Sequence, residues 1–305
     1  MTNASRELTS VHRLAHVSLR TERMEQMVEY YTSILGLREL ENDGTRIQLG
    51  LADGTPAVEL VAGKQGLDHV ALDLSSSTDI ELAATELSKA KVDVSEWANL
   101  TPAGANSIGI VDSEGTTLQL IVRDRAQYVA PTESTLGVGI QPVKIGHVAT
   151  RATDVARVRE FYSSNLGFRF ADSIGDRFLF MRCNADHHSL NFLQAERPAS
   201  IHHIAFQLQN WDHVRVAVNH LVASGIQLIW GPGRHGPGHN IFTYHYDPDG
   251  NIIELFADLD TMTDEDSGYY DWRPWHEGVQ RPRRWDPDTT PPNLWGPRGP
   301  EGFLA

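Results

Sequence analysis

Polar and apolar positions along this chain change their spacing in a regular order. A short alternating stretch, Leu14-Ala-His-Val-Ser-Leu, is followed by apolar residues at three- and four-residue steps from Glu22 to Leu35, and then by further alternating stretches. Period two predicts a strand and period 3.6 a helix, and Gly36 is suited to close that helix. The order of strand, helix and several strands returns with helices predicted over Ser77 to Ala90, Thr153 to Leu166 and Trp211 to Ser224. The second and fourth passes close on an Asp-x-x-Gly turn, Asp112 to Gly115 and Asp247 to Gly250. One helix for every several strands predicts an α+β fold with mixed, curved sheets and argues against a parallel βαβ sheet.

The four passes are two copies of one pair. His16 and His147, Tyr31 and Tyr162, and Gly36 and Gly167 are each 131 residues apart. Downstream, Leu67-Asp-His-Val-Ala-Leu matches Ile201-His-His-Ile-Ala-Phe, and Asp112-Ser-Glu-Gly-Thr-Thr-Leu-Gln-Leu matches Asp247-Pro-Asp-Gly-Asn-Ile-Ile-Glu-Leu. The expected organisation is two tandem domains, residues 10–125 and 143–260, each of two βαβββ modules, with a linker over 126–142 and an extension over 261–305. The extension holds seven of the 15 prolines and four of the seven tryptophans (Trp272, Trp275, Trp285, Trp295) and shows neither period. Disordered segments are poor in aromatics, so it is expected to pack on the second domain or on a neighbouring subunit.

Composition removes several classes of function. Acidic residues outnumber basic ones 40 to 26, for a net charge of −14, so the basic face of a nucleic-acid binder is not expected. No apolar run approaches the roughly 18 residues that span a bilayer, and the N-terminus lacks the apolar run of a signal peptide. A single cysteine, Cys183, cannot form an intramolecular disulfide. A cytoplasmic protein outside the membrane is the expectation. The 14 histidines are the unusual component, because histidine is both a proton shuttle near neutral pH and the commonest metal ligand.

Three residues of the second copy fall at matching points of its strands: His147 and His203 in the first strands of the two modules, and Glu254 in the last strand. Two imidazoles and a carboxylate are the facial triad of non-haem Fe(II), which leaves coordination positions open. Fe(II) with one carboxylate retains one positive charge, which a singly deprotonated diol neutralises. Strand alternation puts residue 203 on the face of 201 and 205 and turns His202 the other way. A lone strand histidine is more often structural; three at repeat-equivalent positions carry more weight. The first copy is an internal control, with His16 and His69 in place but Gln119 where Glu254 stands. A neutral amide is a poor anionic ligand, so that site is expected to be degenerate and empty.

The run Gly233-Arg-His, followed by Tyr244-His-Tyr-Asp-Pro-Asp-Gly-Asn-Ile-Ile-Glu254, resembles the signature of the vicinal oxygen chelate superfamily. Within it, the chain is similar to the two-domain extradiol ring-cleaving dioxygenases, such as catechol 2,3-dioxygenases and dihydroxybiphenyl dioxygenases. Thr243 departs from the signature, which usually has an apolar residue there. The resemblance implies Fe(II), with Mn(II) as the alternative, held by His147, His203 and Glu254. It also implies His188 as the pocket histidine facing bound oxygen, His235 as the acid/base, and Tyr244 as a hydrogen-bond partner of a substrate oxygen. Implied with these are a catechol and O2 as reactants, a 2-hydroxymuconic semialdehyde-type product, and a homo-oligomer of four or more copies.

By the same resemblance Phe180 and Trp230 are pocket walls. The homoprotocatechuate branch has a carboxylate-gripping arginine where Trp230 stands, so an apolar or aryl ring substituent is favoured, although Arg281, Arg283 or Arg284 of the extension can still serve an acidic catechol. For His188 the alternatives are that it, or its neighbour His187, is a polar strand-edge residue; for His235, a loop residue; for Tyr244, core packing. Two other classes of protein use such modules: drug-sequestering binding proteins without redox chemistry, and divalent-metal glyoxalases or epimerases. A full triad accompanied by His188, His235 and Tyr244 argues against the first, and the ligand set against the second.

Overall fold

The computed structural model describes residues 9–75, 78–97, 106–123, 139–196, 200–264, 269–270 and 283–303. The first module is β1 (Val11–Thr21), α1 (Met24–Glu29), β2 (Arg38–Asn42), β3 (Arg46–Gly50) and β4 (Pro56–Ala62). The second is β5 (Gly66–Leu74), α2 (Ile80–Lys89), β6 (Val94–Glu96), β7 (Asn106–Val111) and β8 (Thr117–Val122). The third is β9 (Lys144–Ala152), α3 (Val155–Asn165), β10 (Arg169–Ile174), β11 (Phe178–Arg182) and β12 (Leu190–Gln194). The fourth is β13 (Ser200–Gln207), α4 (Trp211–Ala223), β14 (Trp230–Arg234), β15 (Ile241–Tyr246) and β16 (Ile252–Ala257). The extension adds β17 (Met262–Asp264), β18 (Tyr269–Tyr270) and β19 (Arg283–Trp285). Four βαβββ modules therefore follow one another as the alternation of periods predicts. Among the described residues no helix is long and apolar enough to cross a membrane.

Each pair of modules forms one mixed sheet on the same plan. The orders are β2-β3-β4-β1-β5-β8-β7-β6 and β14-β15-β16-β13-β9-β12-β11-β10-β19. The opening strands of paired modules lie antiparallel, β1 with β5 and β9 with β13. Each also pairs in parallel with the last strand of its own module. These central strands are buried on both faces, which is why they read as apolar runs in which a polar residue stands out. In the extension, β19 pairs with β10 and covers an edge that would otherwise offer unpaired backbone groups.

Local chemistry fixes the helices. Asp79, Asp154 and Asn210 cap α2, α3 and α4 by accepting from backbone N–H groups of the first turn. Residue 77, where the second helix was expected to begin, lies outside the described residues. The helix expected through Leu35 is α-helical only to Glu29 and continues as a π-helical turn over Tyr30–Ile34, with Leu35 N–H donating to Tyr30 C=O at 3.0 Å. The wider turn buries two consecutive tyrosines at once, both of which reach the second domain. At the end of the linker, Gly139 (φ +97°) lies so close to Ile34 C=O that a Cβ would stand 2.7 Å from it.

The two domains meet through a reciprocal pair of contacts. Tyr31 of the first domain donates its hydroxyl to Asp247 of the second at 3.2 Å, and Tyr162 of the second donates to Asp112 of the first at 2.8 Å. These residues are repeat partners, so each domain places its helix tyrosine on the other's Asp-x-x-Gly turn. Glu114 of the first turn also accepts from Thr153 N–H (2.6 Å) and Arg157 (2.6 Å) at the start of α3. Tyr30 adds a 2.6 Å bond to His245 Nε2.

Burial pushes the Asp247 carboxyl up to about 6, against the opposing hydrogen bonds from Asn251 and Tyr31. An acid whose folded pKa exceeds its unfolded value contributes stability that is complete below the unfolded pKa and is lost as pH rises through the folded one. Asp247→Asn should therefore gain on the wild type by on the order of 2 kcal/mol between pH 4 and pH 7.5. Thermal midpoints of both proteins across that range test this; a pH-independent difference would count against it.

Candidate metal centre

The three predicted ligands converge. His147 stands on β9 beside Ala205, His203 on β13 beside Ile252, and Glu254 on β16 with Ala205 on one side and Tyr244 on the other. His147 Nε2 is 3.1 Å from His203 Nε2 and 3.2 Å from Glu254 Oε2, and His203 Nε2 is 3.3 Å from the same oxygen. All three side chains are buried.

This donor set fits a divalent ion. Metal–ligand bonds of about 2.1–2.2 Å in octahedral geometry put neighbouring donors about 3.0–3.1 Å apart, close to the edges of this triangle. Burial first, then the neighbouring imidazoles, lowers the pKa of His203 well below the ordinary histidine value, so it is a neutral ligand. Burial alone would raise Glu254, but the charge of His147 and the hydrogen bonds from His147 and Tyr244 outweigh it and keep the carboxylate ionised. Asn240 Nδ2 donates to Glu254 Oε1 at 2.8 Å, leaving Oε2 to the triad.

The other predicted site residues border the same cleft. His188 lies in the connection from β11 to β12, its ring centroid 4.3 Å from that of His147. Burial, with the surrounding histidines, lowers its pKa well below the usual value. The His235 ring stacks on Phe242 at 3.8 Å, and its Nε2 is 2.9 Å from the Tyr244 hydroxyl, which donates to Glu254 Oε2 at 2.9 Å. Burial lowers the His235 pKa against the pull of Glu254. Phe180 and Trp230 are walls of the cleft; the indole of Trp230 stacks on Tyr244 at 5.7 Å.

His203 lies in the triangle, but alternation misjudged its neighbour His202. His202 is not turned away: its Nδ1 is 2.7 Å from His203 Nδ1, and it borders the cleft. A register shift between Ile201 and His203 interrupts the alternation there. His187 and His188 are joined in the same way, Nδ1 to Nδ1 at 2.8 Å, and His187 Nε2 lies 3.2 Å from Asp172.

Periodicity gave no hint of how the extension meets this site. Its described part packs on the second domain and bonds the outer atoms of the pocket residues. The Phe303 carbonyl is 2.6 Å from His202 Nε2, Pro292 C=O is 2.9 Å from His235 Nδ1, and Pro297 C=O accepts from Trp230 Nε1 at 3.0 Å. Trp285 Nε1 donates to Asp172 Oδ2 at 2.7 Å, behind His187. Asn240, His202, Asp172 and these extension groups are the site residues that sequence reasoning missed. Only the aromatic richness of the extension hinted at them. Arg281 lies outside the described residues, and Arg284 pairs with Asp176 on the surface at 3.2 Å.

The sequence profile described as Glyoxalase/Bleomycin resistance protein/Dioxygenase superfamily matches residues 13–120 and 144–255, one match per domain. The chain belongs to this superfamily. It is 25% identical over 293 residues to the manganese-dependent 2,3-dihydroxybiphenyl 1,2-dioxygenase of Geobacillus genomosp. 3, covering 86% of this chain and 90% of that one. With the iron-dependent extradiol dioxygenase of Rhodococcus jostii it shares 24% over 278 residues, covering 84% and 92%. The match to metapyrocatechase 2 of Cupriavidus necator, 27% over 171 residues, covers 55% of this chain and half of that relative's length. Among solved structures, homoprotocatechuate 2,3-dioxygenase of Brevibacterium fuscum, in complex with 3,4-dihydroxyphenylacetate, superposes with a TM-score of 0.80 at 20% identity over 96% of this chain and 91% of that one. An Mn(II)-bound glyoxalase of Novosphingobium aromaticivorans superposes with a TM-score of 0.75 at 24% identity over 98% of both chains. At these identities the superpositions show the shared two-domain α+β fold.

Trp285→Phe keeps a benzene ring but removes the donor to Asp172 and part of the buried indole, so a cavity cost adds to the lost bond. The loss of a buried bond to a carboxylate should cost about 1.5–3 kcal/mol in denaturant unfolding. An unchanged midpoint would mean that the bond does not hold the extension in place.

Proposed function

We propose that this protein is an Fe(II)-dependent extradiol dioxygenase that opens the ring of a catechol beside its two hydroxyls. The observation that carries the reading is the buried His147–His203–Glu254 triangle at one end of an apolar cleft, with His188 on one side and the His235–Tyr244 pair on the other. Fe(II) is preferred to Mn(II) on the two-imidazole, one-carboxylate composition. Catechol and O2 combine so that both oxygen atoms enter the 2-hydroxymuconic semialdehyde-type product, and no outside reductant is needed. Residues 143–260 are the catalytic domain in this reading. Among the described residues of 10–125, joined through 126–142, the pocket groups have no equivalent, and the described part of 261–305 backs the site. A cytoplasmic homo-oligomer belongs to the same reading.

His147, His203 and Glu254 would hold the ion, whose chemistry when bound is chelation of a diolate and activation of O2. The protein's own residues orient the substrate and move protons. His235, neutral at rest and backed by Pro292 C=O, is placed to take a diol proton through Nε2 and return it at ring opening. Tyr244 can give its hydroxyl hydrogen to Glu254 or to His235, and so can follow a proton passing between substrate and base. His188, uncharged and close to the triad, offers a hydrogen bond to oxygen-derived negative charge. Phe178, Phe180, Trp230 and Phe303 wall the cleft, and among its described lining residues there is no lysine or arginine, which supports an alkyl or aryl substituent over a carboxylate.

Protein prepared anaerobically with Fe(II) should turn alkyl- or aryl-substituted catechols yellow in air and consume O2. No uptake with any member of such a panel overturns the proposal. Glu254→Gln should lose both the ion and the activity. His235→Asn should keep the ion and slow turnover by roughly 10²–10⁴; loss of the ion in that variant would assign His235 a different task.

A further inference from the structure

The first domain carries a buried cluster that the proposed function does not use. His16 on β1 and His69 on β5 occupy the repeat positions of His147 and His203, and their Nε2 atoms face each other at 3.3 Å. Asp68 accepts from His69 Nδ1 at 3.0 Å, which leaves the Nε2 lone pair of His69 directed at His16. Gln119 takes the register position of Glu254, opposite Ala71 as Glu254 is opposite Ala205. The carboxylate comes from another strand. Glu59 on β4 lies opposite Ser18, where the second domain has Asn191 opposite Ala149. A donor atom from each of His16, Glu59 and His69 lies within 4.8 Å of the others, and all three residues are at most 1% exposed.

The hydrogen bonding of the cluster is incomplete: His16 Nδ1 is buried without a partner. Glu59 Oε2 accepts from Ser18 (2.5 Å) and Arg46 (2.9 Å), but its Oε1 is buried without a partner, and so is Gln119 Oε1. Two bare oxygens beside an imidazole pair that faces through Nε2, with His16 Nδ1 left unpaired, supply lone pairs that a cation would draw on. At the described register positions the substrate-handling groups of the second domain have no counterpart here. The register partner of Gln119 on β7 is Gly109, where Glu254 has Tyr244, and Ser95 stands where Trp230 does.

We propose that His16, His69 and Glu59, with Gln119 Oε1 as a neutral fourth donor, form a second, structural site for a divalent first-row ion of the zinc type. Glu59 supplies from β4 the charge that Gln119 does not carry on β8. Two imidazoles select such an ion over Ca²⁺ or Mg²⁺.

The test is a metal count. Protein saturated with Zn(II), desalted and measured by plasma mass spectrometry should carry two ions per chain in the wild type, one in Glu254→Gln and none in Glu254→Gln/Glu59→Gln. In the Glu254→Gln protein a chelator should also lower the thermal midpoint, and in the double variant it should not. A wild type that saturates at one ion, or a double variant that keeps as much metal as Glu254→Gln, overturns the proposal. If Glu59→Gln does not fold, Gln119→Glu replaces it: an added carboxylate should slow chelator extraction of this ion roughly tenfold, and unchanged extraction is equally fatal. These counts do not depend on turnover of any catechol, so this site and the dioxygenase reading can fail separately.

Discussion

Two imidazole nitrogens and a carboxylate oxygen held within 3.3 Å of one another inside a sheet set the terms for the whole second domain. No flexible loop would keep them there. They are held because each side chain rises from a central strand paired on both sides, and because the outer atoms of Glu254 and His203 are tied in turn. Glu254 is fixed by Asn240 and Tyr244, His203 by His202, and His202 by the Phe303 carbonyl. On the other wall the order is His188, His187, Asp172 and Trp285. Much of this outer layer is irregular chain that accepts with backbone carbonyls. The orientation of the three donors is thus set by the chain around them.

The same burial sets the protonation of the pocket. His188, His203 and His235 all have pKa values lowered, in each case chiefly by loss of water and further by neighbouring imidazoles. Crowding several histidines into one apolar cleft therefore keeps them neutral at pH 7, which is the state a ligand or a general base requires. The overall charge of −14 plays no part in this; the local fields of imidazole and carboxylate decide it.

What could be read from the sequence follows from what leaves a periodic trace. The modules were legible because strands and helices impose different spacings, and the triad because the repeat placed His147 and His203 beside their counterparts His16 and His69. The pairing of His202 with His203 was not, since a shift of register overrides alternation locally. Glu59 was hidden for a different reason. Its counterpart Asn191 belongs to no expected set, and a glutamate in Pro56-Ala-Val-Glu-Leu-Val reads as one polar break in a buried strand. The extension was legible only as aromatic and structured, because contacts made by the carbonyls of Pro292, Pro297 and Phe303 depend on path and not on side-chain identity.

The reciprocal tyrosine–aspartate contacts between the domains bear on how the molecule came to be assembled. An interface in which residue i of one unit meets residue j of the other, while j meets i, is the isologous arrangement of a twofold dimer. Here the two units share one chain, so the contact is governed by the effective concentration the connection provides and not by protein concentration. Such fusion frees each half to diverge, because a change in one copy is no longer imposed on both. One half can then keep a reactive pocket while the other spends the same positions on support.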